Sequence, residues 1–297
     1  MKILCFGSLN VDHVYQVDHH VRAGETLACL GLSQYPGGKG LNQSIALARA
    51  GAAVWHAGQI GSDGKSLLSL LKENGVDCGF VQIAGGHTGH TVIQVDAHGQ
   101  NCILLYGGAN RCIDELWMNE VLSHFEKGDI LLLQNEINGL PFLIEKAAEK
   151  GMQIALNPSP IDKEIVSLPL ERVRWFLLNE LEGEALTGEQ QPERICQRML
   201  ENYPDAEVVL TLGAQGVRYQ SREQAVCQSG FQVPVVDTTA AGDTFTGYFL
   251  AEISTGKSVT EALEYACKAS ALAVTKEGAA PSIPLAEEVE QAVLPVR

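Results

Sequence analysis

With 297 residues, 45% of them hydrophobic, and a mean hydropathy of +0.02, the chain can bury a substantial core in one large α/β unit or two small ones. Its 36 acidic against 21 basic residues give a net charge of −15 and an isoelectric point near 4.9, which excludes an extended nucleic-acid or acidic-membrane surface. No apolar run approaches the roughly 20 residues that span a bilayer, and the first residues pass directly into a short run that stops at Gly7, so a cytoplasmic protein is expected.

Residues 3–6 are a continuous apolar run closed by Gly7-Ser8, the pattern of a strand buried on both faces of a parallel sheet. Asn10 and Asp12 follow just past its carboxyl end, the edge where open α/β sheets bind ligands, although both residue types also make turns. Residues 14–34 show no helical period and read as extended chain. Pro36-Gly37-Gly38-Lys39-Gly40-Leu41-Asn42-Gln43 leads into a small-residue helix over 45–51. Three glycines around one lysine let backbone approach a ligand that the ammonium also reaches. The glycine spacing, with no Ser or Thr after the lysine, excludes a Walker A loop. Strand 54–58, helix 66–73 and strand 80–83 follow. Residues 90–96 and 100–106 then alternate apolar and polar around Ala97-His98-Gly99, a hairpin with one wet face. With the extended segment, this hairpin is expected to form a small lid sheet, at about 13–35 and 87–106, over the carboxyl edge of the main sheet.

Helix 113–125 precedes strand 130–133, which carries Gln134-Asn135-Glu136. Helix 140–150 precedes strand 154–156, ending in Asn157-Pro158-Ser159-Pro160. Strand 174–178 ends in Asn179-Glu180-Leu181-Glu182, and helix 192–202 precedes strand 208–212, which ends in Gly213-Ala214-Gln215-Gly216. Polar or glycine-rich residues close one strand after another. The expected fold class is therefore α/β: a doubly wound, mostly parallel sheet with helices on both faces, one site along its carboxyl edge, and an inserted β lid within a single domain over 1–297.

The stretch Val236-Asp237-Thr238-Thr239-Ala240-Ala241-Gly242-Asp243-Thr244-Phe245 joins an apolar strand end at 233–236 to a buried helix over 244–253. A turn of small residues before a helix leaves backbone N–H groups unpaired where the helix dipole adds positive charge, and such a place suits a phosphate. Asp243 at the helix entrance is then either an N-cap or, facing a bound phosphate, the base that takes a proton from an attacking hydroxyl.

These motifs, in this order and each at an expected strand end, resemble the PfkB family of ribokinase-like carbohydrate kinases, and within it the members that act on ribose. The matching elements run from Gly7-Ser8-Leu9-Asn10-Val11-Asp12 and Gly24-Glu25-Thr26 through Gly37-Gly38-Lys39-Gly40 and Gly107-Gly108-Ala109-Asn110 to Asp237-Thr238-Thr239-Ala240-Ala241-Gly242-Asp243. The resemblance implies transfer of the ATP γ-phosphoryl group to the 5-hydroxyl of ribose. It implies Asp243 as catalytic base and the backbone N–H groups of Ala240, Ala241, Gly242 and Asp243 as an anion hole. Asn10, Asp12, Gly38, Lys39, Asn42 and Glu136, with Asp243, correspond to the sugar-binding set, and short carboxylates and amides suit a ring of hydroxyls. Asn179, Thr211, Gly213, Gly216 and Gly242 correspond to the nucleotide side, and Glu182 to the residue that organises Mg²⁺ through water. Asp237, Thr239, Ala273, Lys276, Gly278 and Ser282 fall where the family holds K⁺, mainly through backbone carbonyls. Leu41, where a small residue is usual, and Gln94, where an apolar lid residue is common, are departures that would reshape the sugar pocket.

The alternatives are a kinase for deoxyribose or another sugar, and, from a different class, a non-catalytic sugar or nucleotide sensor on the same fold. An intact Asp243 and anion hole speak against the sensor. Exposed lid edges suggest a homodimer in which two lids pair; the other expected partners are a small-molecule sugar and ATP, with no nucleic acid and no membrane. His13, His19, His20, His87 and His90 read as solvated loop histidines, and Trp55, Trp117 and Trp175 as packing residues. The eight cysteines lack any C-x-x-C pair and read as free thiols.

Overall fold

A strand covered on both faces buries every side chain it carries, and the short apolar runs become such strands. In the computed structural model, which describes residues 1–297, β1 (Ile3–Phe6) is buried at every position. Its alternate side chains feed two cores, Ile3 and Cys5 on one face of the sheet and Leu4 and Phe6 on the other. The chain leaves this sheet through only Gly7, Ser8 and Leu9 and enters β2 (Asn10–Gln16), which pairs antiparallel with β3 (Gly31–Gly37). After α1 (Lys39–Arg49) come β4 (Val54–Ile60), α2 (Lys65–Glu73) and β5 (Asp77–Ile83). β6 (Gly89–Val95) and β7 (Asn101–Tyr106) pair antiparallel, and β6 joins β2 in parallel, so that a separate four-stranded sheet runs in the order β3-β2-β6-β7.

The α3 helix (Glu115–Ser123), capped by Asp114, leads to β8 (Ile130–Gln134), and α4 (Leu140–Glu149) leads to β9 (Gln153–Asn157). β10 (Trp175–Asn179) runs directly into α5 (Glu180–Thr187), and α6 (Pro192–Asn202) precedes β11 (Glu207–Thr211). β12 (Gly216–Gln220) and β13 (Ala225–Ser229) are followed by α7 (Ala241–Ser254), α8 (Val259–Ala273) and α9 (Ala286–Gln291). The main sheet has nine strands in the order β13-β12-β11-β10-β9-β8-β1-β4-β5, all running the same way except β12, which pairs antiparallel with both β11 and β13 at one edge. Residues of α1, α2, α7 and α8 pack on one face and residues of α3, α4 and α6 on the other. The protein thus has the α/β fold with a mostly parallel sheet.

Some local expectations are corrected. Residues 233–236 form no strand: Pro234 removes a ladder donor, Val235 and Val236 are exposed, and Val236 N–H instead bonds the Val274 carbonyl at 2.8 Å. α7 begins at Ala241 and α1 at Lys39, each earlier than the apolar periodicity suggests, because small and polar residues fill their first turns. The segment 14–34 is not uniformly extended; strand pairing covers only its two ends. The 90–106 hairpin is not wet on one face alone, since all six residues of β7 are exposed, Leu104 by 68%. The antiparallel β12–β13 edge, α5 and α8 have no counterpart in the expected elements.

Candidate active site

The site is assembled where α1 crosses α7. A Cβ on Gly247 would lie 2.4 Å from Ala46 Cβ and 2.8 Å from Leu47 N, so the two helices meet backbone to backbone. One turn earlier on each helix, Asp243 lies against Asn42 and Gln43. Asn42 Nδ2 donates to Asp243 Oδ2 (3.0 Å) and Gln43 Nε2 donates to Oδ1 (2.8 Å). Asp243 is the third residue of α7 and only 7% exposed. The capping alternative is thereby removed: the N-cap is Ala240, with no side-chain cap bond, held in the left-handed region at φ 59°.

That left-handed residue turns the chain into α7 and leaves N–H groups of its first turn free. Ala241 N–H bonds the Thr238 carbonyl (3.2 Å), whereas those of Ala240, Gly242 and Asp243 make no hydrogen bond within the chain. A Cβ on Gly242 would meet nothing within 4 Å. Unpaired donors, open space and a helix N-terminus together form a cradle for an anion.

The opposing wall comes from β1, β2, β8 and α1. Gly38, at φ 97°, caps α1 without a side chain, and the Glu136 carboxylate fills that role by accepting from Lys39 N–H at 3.0 Å and from Ser8 Oγ. Burial pushes the Glu136 carboxyl above its ordinary range, against the Ser8 bond and the Lys39 charge. Burial alone would lower the Lys39 ammonium, but Asp243, Glu136 and Glu182 together raise it, so it stays charged among three carboxylates. Asn10 is 2% exposed and accepts from Asn110 Nδ2 (2.8 Å). The Asp12 carboxylate accepts from Thr91 Oγ1 (2.6 Å), and burial raises it against that bond. Asn42 Oδ1 is buried without any partner, a spare acceptor beside Asp243. Leu41 is fully buried in the core, not part of the cleft, and Gln94 Oε1 accepts from Val21 N–H (3.0 Å).

Two adjoining cavities continue along the carboxyl edge. One of about 230 Å³ is lined by Lys39, Asn179, Glu182 and Asp243 among others. The next, about 250 Å³ and more apolar, is bounded by Thr211, Gly213, Gly216, Phe231 and Val274, and both share Gly242. A larger cavity of about 630 Å³ lies at the opposite edge of the sheet, around Arg174 and Glu207, remote from these groups. Asn179 and Glu182 cap one another at the start of α5: Asn179 N–H and Nδ2 donate to the two Glu182 oxygens at 3.0 Å each. The carboxylate retains further lone pairs toward the cleft, but no cluster of three or more His, Cys, Asp or Glu side chains is placed to hold a metal by itself. This arrangement fits a hydrated Mg²⁺ arriving with nucleotide phosphates.

Beside the cradle, Asp237 joins two loops: Oδ1 accepts from Thr239 N–H (2.9 Å) and Oγ1 (2.6 Å), and Oδ2 accepts from Gly278 N–H (2.9 Å). Burial would raise this carboxyl, yet these bonds hold it below the ordinary range. The Lys276 ammonium turns away to Glu288 (2.8 Å) and the Ser282 hydroxyl bonds the Ala279 carbonyl (2.8 Å), so both, like Ala273, could serve a cation only through their carbonyls. An ionised carboxylate amid loop carbonyls is chemistry that fits a monovalent cation.

The structure therefore brings Asn10, Asp12, Gly38, Lys39, Asn42, Glu136 and Asp243 to one end of the edge, and Asn179, Glu182, Thr211, Gly213 and Gly216 to the other. Ser8, Gln43, Thr91, Asn110, Gln134 and Asn157 were not expected to hold the site together. The polar ends of β8 and β9 were the available signal for Gln134 and Asn157; for Gln43 the signal was its place at the end of the Gly37-Gly38-Lys39-Gly40-Leu41-Asn42-Gln43 run that leads into the small-residue helix.

The chain is similar to known proteins over nearly its whole length. The signature of the pfkB family of carbohydrate kinases matches residues 1–286. The chain is 35% identical to a ribokinase of Haemophilus influenzae over 294 residues, 95% of each chain. The crystal structure of a Cryptococcus neoformans ribokinase in complex with ADP superposes with a TM-score of 0.87 at 31% identity, over 98% of this chain and 99% of that one. An Arabidopsis thaliana ribokinase complexed with ribose and ATP gives 0.85 at 28% identity, over 98% and 97% of the two chains.

Proposed function

The chain belongs to the pfkB family of carbohydrate kinases, and we propose that it transfers the γ-phosphoryl group of ATP to the 5-hydroxyl of D-ribose. It is an ATP-dependent phosphotransferase acting on a carbohydrate. The observation that carries the assignment of roles is the placement of a carboxylate held by two amides beside unpaired N–H groups at the start of the same helix.

On this reading the sugar lies among Asn10, Asp12, Gly38, Asn42 and Glu136, with the unpartnered Asn42 Oδ1 accepting from one hydroxyl. ATP lies along the two cavities, its base in the more apolar one beside Thr211, Gly213 and Gly216. Asp243 accepts the 5-hydroxyl proton as the new oxygen–phosphorus bond forms and the β–γ bridge breaks, releasing ADP. The N–H groups of Gly242 and Asp243, with the Lys39 ammonium, stabilise charge on the transferring phosphoryl. Ala241 contributes its place in the turn, since its own N–H is used by Thr238. Mg²⁺, held through water by Glu182 and Asn179, would neutralise the nucleotide phosphates. K⁺ held by Asp237, the Thr239 carbonyl and the carbonyls of Ala273, Lys276, Gly278 and Ser282 would fix the cradle turn electrostatically.

The four-stranded sheet acts as a lid over the sugar within one domain. Its uncovered residues Ile103, Leu104, Leu105 and Tyr106 are 44–68% exposed, and burying them against a second copy gives a homodimer. Eight unpaired thiols and the absence of any helix long and apolar enough to cross a membrane accord with a cytoplasmic location. A sugar panel at fixed Mg²⁺·ATP, with and without K⁺, tests the reading. Ribose-dependent ADP release that falls on K⁺ removal is expected. Equal use of deoxyribose would overturn the sugar assignment, and no sugar-dependent ADP release would overturn the kinase.

A further inference from the structure

Gln43 has no role in the chemistry above, yet it is fully buried beside the reacting groups. Its Nε2 donates to Asp243 Oδ1 (2.8 Å) and, more weakly, to Asn157 Oδ1 (3.3 Å), while its Oε1 accepts from Gln134 Nε2 (2.7 Å). Gln134 ends β8, is fully buried, and sets its Nε2 3.5 Å from Cys5 Sγ. Asn157 ends β9 and is anchored by its Nδ2 donating to the Leu177 carbonyl at 2.8 Å.

An amide has one donor end and one acceptor end. Because Gln134 presents N–H to Gln43, the carbonyl of Gln43 faces Gln134 and its NH₂ faces the base. Turning the Gln43 amide over would set its carbonyl against the Asp243 carboxylate, and turning the Gln134 amide over would set its carbonyl against that of Gln43, acceptor against acceptor in each case. Two neighbouring strand ends thus orient one helix side chain, and that side chain orients one oxygen of Asp243. We propose that Gln43 is a positioning residue for Asp243 and that Gln134 acts through it, as a two-amide relay. The inference rests on the reading of Asp243 as the base. A fixed donor on Oδ1 holds the carboxylate rotamer in line with the incoming hydroxyl. In a buried chain of amides, each bond polarises the next.

Steady-state kinetics of the full-length enzyme with ribose and Mg²⁺·ATP test the relay with Gln43→Met, Gln134→Met, the double variant and Asp243→Asn. Gln43→Met is expected to lower kcat about 10- to 100-fold with ribose KM changed by less than about twofold. Gln134→Met lowers kcat by about 3- to 10-fold, and the double variant is no slower than Gln43→Met, since both act through one hydrogen bond. An unchanged kcat, or a loss expressed mainly in ribose KM, overturns the positioning role, and multiplication of the two single effects overturns the relay. Should Gln43→Met melt below the assay temperature, Gln43→Asn keeps an amide one methylene short of Asp243 and carries the same expectation. Near-full turnover by Asp243→Asn would instead overturn the base itself, whatever the Gln43 variants do.

Discussion

The α1–α7 crossing and the β3-β2-β6-β7 sheet flank the same cleft but are built on opposite principles. At the crossing, helices touch through Gly247, every residue from Asp243 to Ala251 is buried, and both oxygens of the Asp243 carboxylate accept a hydrogen bond. The small sheet has no such cover. β7 is exposed throughout and β3 is exposed over Leu32–Tyr35, while only the inner ends of β2 and β6 are buried, where Asn10 and Gly89 pair. The group proposed to hold a geometry through bond transfer, Asp243, sits in the part with no freedom. Asn10 and Asp12, proposed only to recognise hydroxyls, sit on the part with less cover. Turnover should therefore depend on the crossing and affinity on the sheet.

Asp243→Asn gives the largest effect: a loss of about 10³-fold in kcat, some 4 kcal/mol of barrier, with ribose KM little changed. A loss expressed mainly in KM would erase the contrast between the two regions. Asp12→Ala, on the small sheet, should do the reverse, costing about 2 kcal/mol in sugar binding, a rise in ribose KM near 30-fold, as expected for one hydrogen-bonded carboxylate. Because burial raises the Asp12 carboxyl, it takes up its proton before an ordinary carboxylate as pH falls. Ribose KM therefore climbs at a pH above the usual carboxylate range, and titration of KM against pH checks this; Asp12→Asn removes the climb.

Thermal melts at decreasing pH sharpen the contrast on the core side. His56, fully buried and bonded to Ser44 of α1, is pushed by burial from 6.5 to about 3. The unfolded chain thus takes up a proton below about 6.5 that the folded chain refuses until about 3, so stability falls across that window by up to about 1.4 kcal/mol per pH unit. His56→Leu removes this component, so the wild-type and variant curves should converge toward acid. Ala240→Gly relieves a left-handed alanine and should stabilise by about 1 kcal/mol, or roughly 2 °C in Tm, while loosening the cradle and lowering kcat a few-fold. Leu104→Lys, on the strand proposed to pair with a second copy, should leave kcat unchanged, since it touches none of the groups of the cleft. The same variant should convert the proposed dimer to monomer in light scattering.

The inner sheet was legible because continuous apolar runs have few other fates, and the site's edge because polar residues close strand after strand. The β12–β13 pair was not, since two five-residue alternating segments carry little signal beside a glycine-rich loop. Residues 233–236 misled because three valines outweighed one proline in the pattern, whereas in the fold the missing N–H decided. Asp243 could be read as cap or base from its position alone; what separates them is the approach of Asn42 and Gln43 across about 200 residues of chain, which no local pattern encodes.

Only three residues, Gly7, Ser8 and Leu9, separate β1 of the main sheet from β2 of the small one, and β3 ends at Gly37, one residue short of α1. Asn10 and Asp12 thus belong to one body, and Asn42, Glu136 and Asp243 to another. A sugar held as proposed is a rivet through both plates: each hydroxyl bond to β2 is also a fastening between two sheets. Thermal shift with ribose alone should accordingly report stiffening of the small sheet, and a sugar lacking the hydroxyl that meets Asp12 would leave the joint open even while it fills the floor of the cleft.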